Sequence, residues 1–251
     1  MPERYFIHYS YKGTQYHGSQ SQPEVATVQD VLEDFLTKFC RESIKITAAG
    51  RTDAGVHAKA MWAHIEFKDF QPDSNFVYRL NRFLPIDIAL HSIAKVKPEA
   101  HARFDAKSRE YTYKIVQEKA VFHYDFAHLE RETLDLELMN QACDLLFEYR
   151  DFECFSKVHT DVNTFNCKIM KAIWVQNEDH LLFTIKADRF LRNMVRAIVG
   201  TLLRVGKHQI NLKEFRQIIE SKNRSLAGES VPAKALILTK VDYPKDLFVN
   251  D

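Results

Sequence analysis

Nine residues, Gly50 to Ala58, read GRTDAGVHA and hold one acidic side chain, Asp53, between Arg51 and His57, with a glycine on either side. A carboxylate presented on a stiff, exposed turn acts as a nucleophile or a general base, and a nearby cation keeps it ionised. Arg51 is the nearest such cation in the sequence. Gly50 and Gly55 permit positive φ angles and let another backbone or a ligand come close. The same composition also makes an Asx-type turn, in which the aspartate only caps its own backbone.

Three further stretches carry residue types suited to chemistry or binding. Tyr111 and Tyr113, in HARFDAKSREYTYKI, point to one face of a strand because strand side chains alternate. Such a pair either stacks on a nucleobase or lies in a core, and Arg103, Lys107 and Arg109 stand close by. In FLRNMVRAIVGTLLR, residues 190–204, helical spacing gathers Phe190, Leu191, Met194, Val195 and Ile198 on one side and Arg189, Arg192 and Arg196 on the other. That basic stripe is either a solvated face, or one arginine pairs with Asp53 while the others meet phosphates. The polar loop KGTQYHGSQSQPEVA, residues 12–26, contains Lys12 and Gln20 and is either an RNA contact or a surface hairpin.

Other chemistries find little support. Cysteines at 40, 143, 154 and 167 form no CxxC pair, and His57 and His101 lack a local ligand pattern, so no metal is expected. The chain has no Walker loop or dinucleotide motif, and no cofactor is expected. Nor is there an apolar run of about eighteen residues that would cross a membrane. The opening MPERYFIHYS lacks the apolar core and cleavage site of a signal peptide, so the cytoplasm is the expected location. With 45% hydrophobic and 27% charged residues the composition is that of a soluble globular protein. Its 35 basic and 34 acidic residues weigh mildly against a nucleic-acid partner unless the cations are segregated.

The elements that must position these groups follow from periodicity. A strand is expected at 4–11, a helix from the Thr27 cap to about Phe39, strands at 44–49 and 60–67, a helix at 73–83 ended by Pro85, and a strand at 87–97. The second half gives a strand ending near 115, a linker over 118–133, a helix at 134–147, strands at 166–176 and 179–187 joined by Asn177-Glu178-Asp179, helices at 190–204 and 212–221, and a strand at 235–242. Each half thus has the order of a ferredoxin-like βαββαβ unit. The expected fold is α+β: halves 1–104 and 105–251 form one extended, mostly antiparallel sheet, with helices on one face and a central cleft where Asp53 and Tyr111 meet.

GRTDAGVHA resembles the signature of the tRNA pseudouridine synthase A family, and nine contiguous residues are far more specific than a spaced pattern. The likeness runs through nearly the whole chain. Residues 109–113 look like the family's R-x-Y-x-Y motif, residues 190–206 like its third motif, and VPAKALIL at 231–238 like its AP-x-x-GLYL segment, with Ala235 where glycine is usual. RDFECFS at 150–156 is similar to the family's structural HDFSAF stretch. In the first loop Lys12, Ser19 and Ser21 replace the acid, tryptophan and arginine of YDG and FHGWQRQP.

This resemblance implies isomerisation of uridine to pseudouridine in the anticodon stem-loop of tRNA, at its positions 38, 39 and 40. It makes Asp53 the catalytic residue, with Arg196 beside it, Tyr111 and Leu236 on the uracil ring, and Arg51 filling or forcing the place of the flipped base. Lys12, Gln20, His57, Arg103, Arg109, Arg189 and Arg192 are the candidate RNA contacts, tRNA is the partner, and the protein is expected to be a homodimer. One alternative is a catalytically altered or non-catalytic RNA-binding member of the same fold. Another is a glycosidase-like hydrolase pairing Asp53 with Asp105 or Asp161.

Overall fold

The computed structural model describes residues 2–158 and 162–249; Asp161 lies outside them. The elements are β1 (Glu3–Tyr11), α1 (Val28–Cys40), β2 (Thr47–Ala48), β3 (His57–Phe67), α2 (Phe76–Asn81) and β4 (Ile88–Lys95), then β5 (Ser108–Val116), β6 (His128–Leu129), α3 (Leu136–Leu145), β7 (Ile169–Gln176), β8 (Leu181–Ala187), α4 (Met194–Gly206), α5 (Leu212–Glu220) and β9 (Leu236–Asp242). The fold is α+β, and among the described residues these nine strands belong to one mostly antiparallel sheet.

The chain divides into two compact units. One takes the described residues up to Lys107 together with those from Leu238 onward, and the other spans Ser108–Ile237. The tail grouped by sequence with the second half thus belongs to the first unit. Lys107 donates its N–H to the Asp242 carbonyl at 2.8 Å, and Lys97 donates to Leu247 at 3.1 Å.

In the first unit β1 lies between β4 and β3, antiparallel to both. Alternation sends Tyr5, Ile7, Tyr9 and Tyr11 of β1 one way and Phe6 and His8 the other. The first set is linked to the helices through Phe67 of β3, which lies 5.3 Å from Tyr5 and 6.1 Å from Phe76 of α2, and Phe76 in turn lies 5.7 Å from Phe39 of α1. Phe6 is fully buried in a second cluster with Val96, Ala100, Ala102, Trp62, Tyr243, Leu247 and Phe248, so chain segments cover both faces of β1. Thr27 caps α1 as its position predicts, accepting the Asp30 N–H. The expected helix over 73–83 shrinks to Phe76–Asn81, because Asp73 closes a turn with the N–H groups of Asn75 and Phe76.

In the second unit β8 lies between β5 and β7, and β6 adds a short parallel pairing to β5. The hairpin between β7 and β8 closes with the Asn177 N–H on the His180 carbonyl. Asp135 caps α3, and Asn211 with Glu214 forms a capping box at α5. All four cysteines are buried free thiols, and desolvation pushes Cys40, Cys154 and Cys167 up to about 12. No helix is long and apolar enough to cross a membrane, and no group of three metal-ligating side chains is assembled among the described residues.

Several half-buried histidines have their pKa values lowered, chiefly by burial. His64 accepts the Ala102 N–H at Nδ1 (3.1 Å) and packs edge-on against His101. Burial, then the neighbouring His101 and Arg4, holds its pKa down to about 4 from 6.5. As the pH falls from 6.5 towards 4 the unfolded chain takes up a proton that the folded one refuses, so stability is lost across that window. With solvent screening the loss is on the order of 1–2 kcal/mol. Burial shifts His8, His101 and His128 in the same direction. Urea midpoints measured through this range should therefore fall less steeply in a His64→Gln variant, without the slope vanishing.

Candidate active site

The GRTDAGVHA segment is a loop from Gly50 to Val56 that runs into the first two residues of β3. The strand expected at 44–49 is reduced to the two residues of β2, paired with His64 and Ala63 of β3, because Ile44 and Ile46 instead bond the Thr37 hydroxyl and the Glu33 carboxylate of α1. The Val56 N–H donates to the Asp53 carbonyl at 3.1 Å, closing a turn whose third residue, Gly55, has φ +79°. Gly50, expected to need similar freedom, is outside the positive-φ region and has open space where a Cβ would sit. Asp53 heads the turn half-buried, and Arg51 is exposed.

The segment is held from outside, by the polar loop that follows β1. Ser19 donates its N–H to the Thr52 carbonyl at 3.1 Å and accepts the Thr52 N–H on Oγ at 2.8 Å. The Thr52 and Tyr11 hydroxyls lie 2.8 Å apart. Gly13 donates its N–H to His57 Nδ1 at 2.9 Å, and a Cβ on Gly13 would stand 2.0 Å from the Val56 carbonyl oxygen. Lys12 and Tyr16 extend the cradle to the next loop, through the Asp87 carbonyl (2.9 Å) and carboxylate (2.8 Å). His57 is 2% exposed, which makes it a strut of the loop and leaves RNA little of its ring to touch. Gln20 is exposed beside Ser19. Arg103 is exposed too, its guanidinium 5.8 Å from the Phe104 ring.

In the second unit Tyr111, 9% exposed, sits in β5 opposite Ile185, and Phe190 meets its ring edge-on at 5.3 Å. Arg109, two residues earlier, donates from Nη1 to the Asp188 carbonyl at 2.8 Å. Arg196 sits in the first turn of α4, where its Nε donates to the Val231 carbonyl at 2.7 Å and its own carbonyl accepts the Val231 N–H. Its charge also reaches Tyr113, whose hydroxyl bonds the Pro232 carbonyl and whose pKa burial raises far above the ordinary value. Leu236, 5% exposed, opens β9 one helical turn beyond that proline.

The helix expected at 190–204 begins only at Met194. Asn193 stands in the left-handed region (φ +66°), Met194 closes a turn on the Leu191 carbonyl, and the Asp188 carboxylate caps the N–H groups of Lys168 and Arg189. Arg189 and Arg192 therefore lie on a loop, and the three-arginine helical stripe does not exist. The same displacement frees Phe190 to stand against Tyr111. Spacing gave no hint of that contact, nor of the Ser19, Tyr11 and Thr52 clamp, because their partners lie 79, 33 and 41 residues away in sequence.

The sequence profile described as tRNA pseudouridine synthase matches residues 7–105 and 142–244. Among similar curated proteins, one named tRNA pseudouridine synthase A from Parabacteroides distasonis is 51% identical over 98% of both chains. Proteins of that name from Bacteroides fragilis (49%, 98% of both chains) and a Geobacillus species (39%, 97% of this chain and 99% of that one) are also similar.

Two glycines flanking the turn should respond oppositely to a methyl group. Gly13→Ala meets backbone at Val56 and should cost about 1–3 kcal/mol in urea unfolding. Gly50→Ala meets nothing and should stay within about 0.5 kcal/mol of the parent.

Proposed function

The chain belongs to the tRNA pseudouridine synthase family and isomerises uridine to pseudouridine in tRNA, and we propose that Asp53 is the group that performs the chemistry. The observation that carries this reading is the clamped turn: a half-buried carboxylate heads a loop whose preceding residue is bonded on its N–H, its carbonyl and its hydroxyl. Chemistry at a sugar carbon needs a reacting atom held within a fraction of an ångström, and such a loop supplies it.

In the reaction the N1–C1′ bond of uridine breaks, the freed uracil turns, C5 bonds to C1′ and gives up its proton, and N1 takes up a proton in return. No electrons are gained or lost and no water is added, so the sequence of bonds needs no cofactor. Asp53 acts as the ionised carboxylate, either attacking C1′ or removing the 2′ proton. Arg196 is assigned, by resemblance to the family, as the cation that keeps the carboxylate ionised: a planar guanidinium suits that role, and the Val231 carbonyl fixes its rotation through Nε. Tyr111, steadied at its edge by Phe190, and Leu236 receive the uracil ring. Arg51, exposed two residues before the aspartate, takes the place that the base vacates, since a base within a stem must leave the stack before it reacts.

Lys12, Gln20, Arg103, Arg189 and Arg192 are assigned to the RNA backbone, while Arg109 braces the loop that carries Phe190. The anticodon stem-loop is assigned as the substrate region and a cytoplasmic homodimer as the working form, a reading that rests on the resemblance to the family. The relatives' shared name gives the non-catalytic alternative no support.

An Asp53→Asn enzyme should fold, bind bulk tRNA and release no tritium from 5-labelled uridine; release above background removes Asp53 from its role. Arg196→Lys should lose about a hundredfold or more in turnover with folding intact, because a point charge does not replace a planar fork.

A further inference from the structure

We propose that Ser19 is a positioning residue for catalysis, a fixed strut through which α1 holds the Asp53 carboxylate in its reacting place. This rests on the reading of Asp53 as the catalytic group. Ser19 is 5% exposed, and each of its backbone polar atoms and its hydroxyl has a protein partner. Its carbonyl accepts the Gln29 N–H at 3.0 Å in the first turn of α1. The N–H and Oγ grip the two sides of Thr52 at 3.1 and 2.8 Å. One residue thus joins the start of a thirteen-residue helix to the peptide that carries Asp53.

The grip has a consequence for geometry. Thr52 is 7% exposed, so its N–H has no ready water to replace Ser19 Oγ. Loss of that acceptor turns the 51–52 peptide, and with it the residue that leads into Asp53, because a buried donor seeks another partner. Rotation about this peptide swings the carboxylate, and a displacement of about 1 Å is enough to cost a reaction one to two orders of magnitude. At 5% exposed, Ser19 offers RNA or uracil little surface to touch. Its effect should fall on the chemical step and leave tRNA affinity alone.

The test compares Ser19→Ala, Ser19→Cys and Ser19→Thr in single-turnover tritium release at saturating tRNA, with tRNA affinity by filter binding and melting followed by circular dichroism. Ser19→Ala should react about tenfold or more slowly with affinity within about twofold of the parent. Ser19→Thr, which keeps the acceptor, should recover most of the rate, and Ser19→Cys, of similar volume but a weaker acceptor, should fall between. A full rate in Ser19→Ala, a loss confined to affinity, or a threonine variant as slow as the alanine variant overturns the proposal. Should the alanine variant fail to fold, the cysteine variant takes its place, and an unchanged rate there overturns the proposal equally. Asp53→Asn run alongside separates the two levels: product from it sinks the catalytic assignment itself, whereas an inert Asp53→Asn beside a full-speed Ser19→Ala sinks only the role of Ser19.

Discussion

The peptide before Asp53 is held by residues from another loop, and the site depends on that hold. Within the 49–56 segment the Val56 N–H closes a turn on the Asp53 carbonyl, and the two-residue strand β2 stands behind it. A single hydrogen bond is worth only about 1 kcal/mol net, yet a buried donor left without a partner costs about 1–3 kcal/mol. With its N–H, carbonyl and hydroxyl all engaged, Thr52 has one arrangement that satisfies every group, and any other leaves at least one orphaned. The carboxylate inherits that uniqueness.

The sheet decides which loops can do this. β1 ends at Tyr11 and β3 begins near its antiparallel partner Ala58, so the chain leaving one strand runs beside the chain entering the other. A register shift between Tyr9 and Tyr11 lies just before the loop, where a bulge re-aims the chain. The two loops then lie so close that residue 13 has no room for a side chain against Val56, and its N–H falls on His57 Nδ1. An aromatic and aliphatic core keeps the strands in place: Ile7 and Tyr9 are buried on one side of β1 and Phe6 on the other. A slip of one residue would exchange those sets and separate the loops.

Much of this was legible in the sequence, and what was not has physical reasons. Contiguous residues named the carboxylate loop, alternation named β1, β5 and β8, and the Thr27 cap placed α1. Asn193 was harder: its left-handed backbone and the Asp188 caps delay α4 by four residues although the apolar spacing continues unbroken from Phe190. Local pattern measures what a helix would bury; it is blind to a carboxylate that reaches the same backbone first. The role of Ser19 was hidden for a related reason, since the sequence shows only that it replaces the family's usual tryptophan, and its partner lies 33 residues away. The tail showed the same limit, because a strand can be recognised in Leu236–Asp242 without showing that the residues after it return to cover Phe6.

Charge balance misled for a different reason. A sum of 35 cations and 34 anions ignores where each charge points. Many carboxylates are already matched within their own unit: Lys207 bridges Glu130 and Glu132 at 2.8 Å, Lys222 meets Asp151 at 2.6 Å, Lys45 meets Glu33 at 2.7 Å, and Arg216 pairs with Glu148. A matched pair has the field of a dipole, which falls off faster than that of a lone charge and is screened within about 8 Å in physiological salt. Arg109 and Arg196 make bonds of another kind, to the carbonyls of Asp188 and Val231. A carbonyl orients a guanidinium without neutralising it. A planar fork held in a fixed direction is what both an ionised carboxylate and a phosphate require of an arginine.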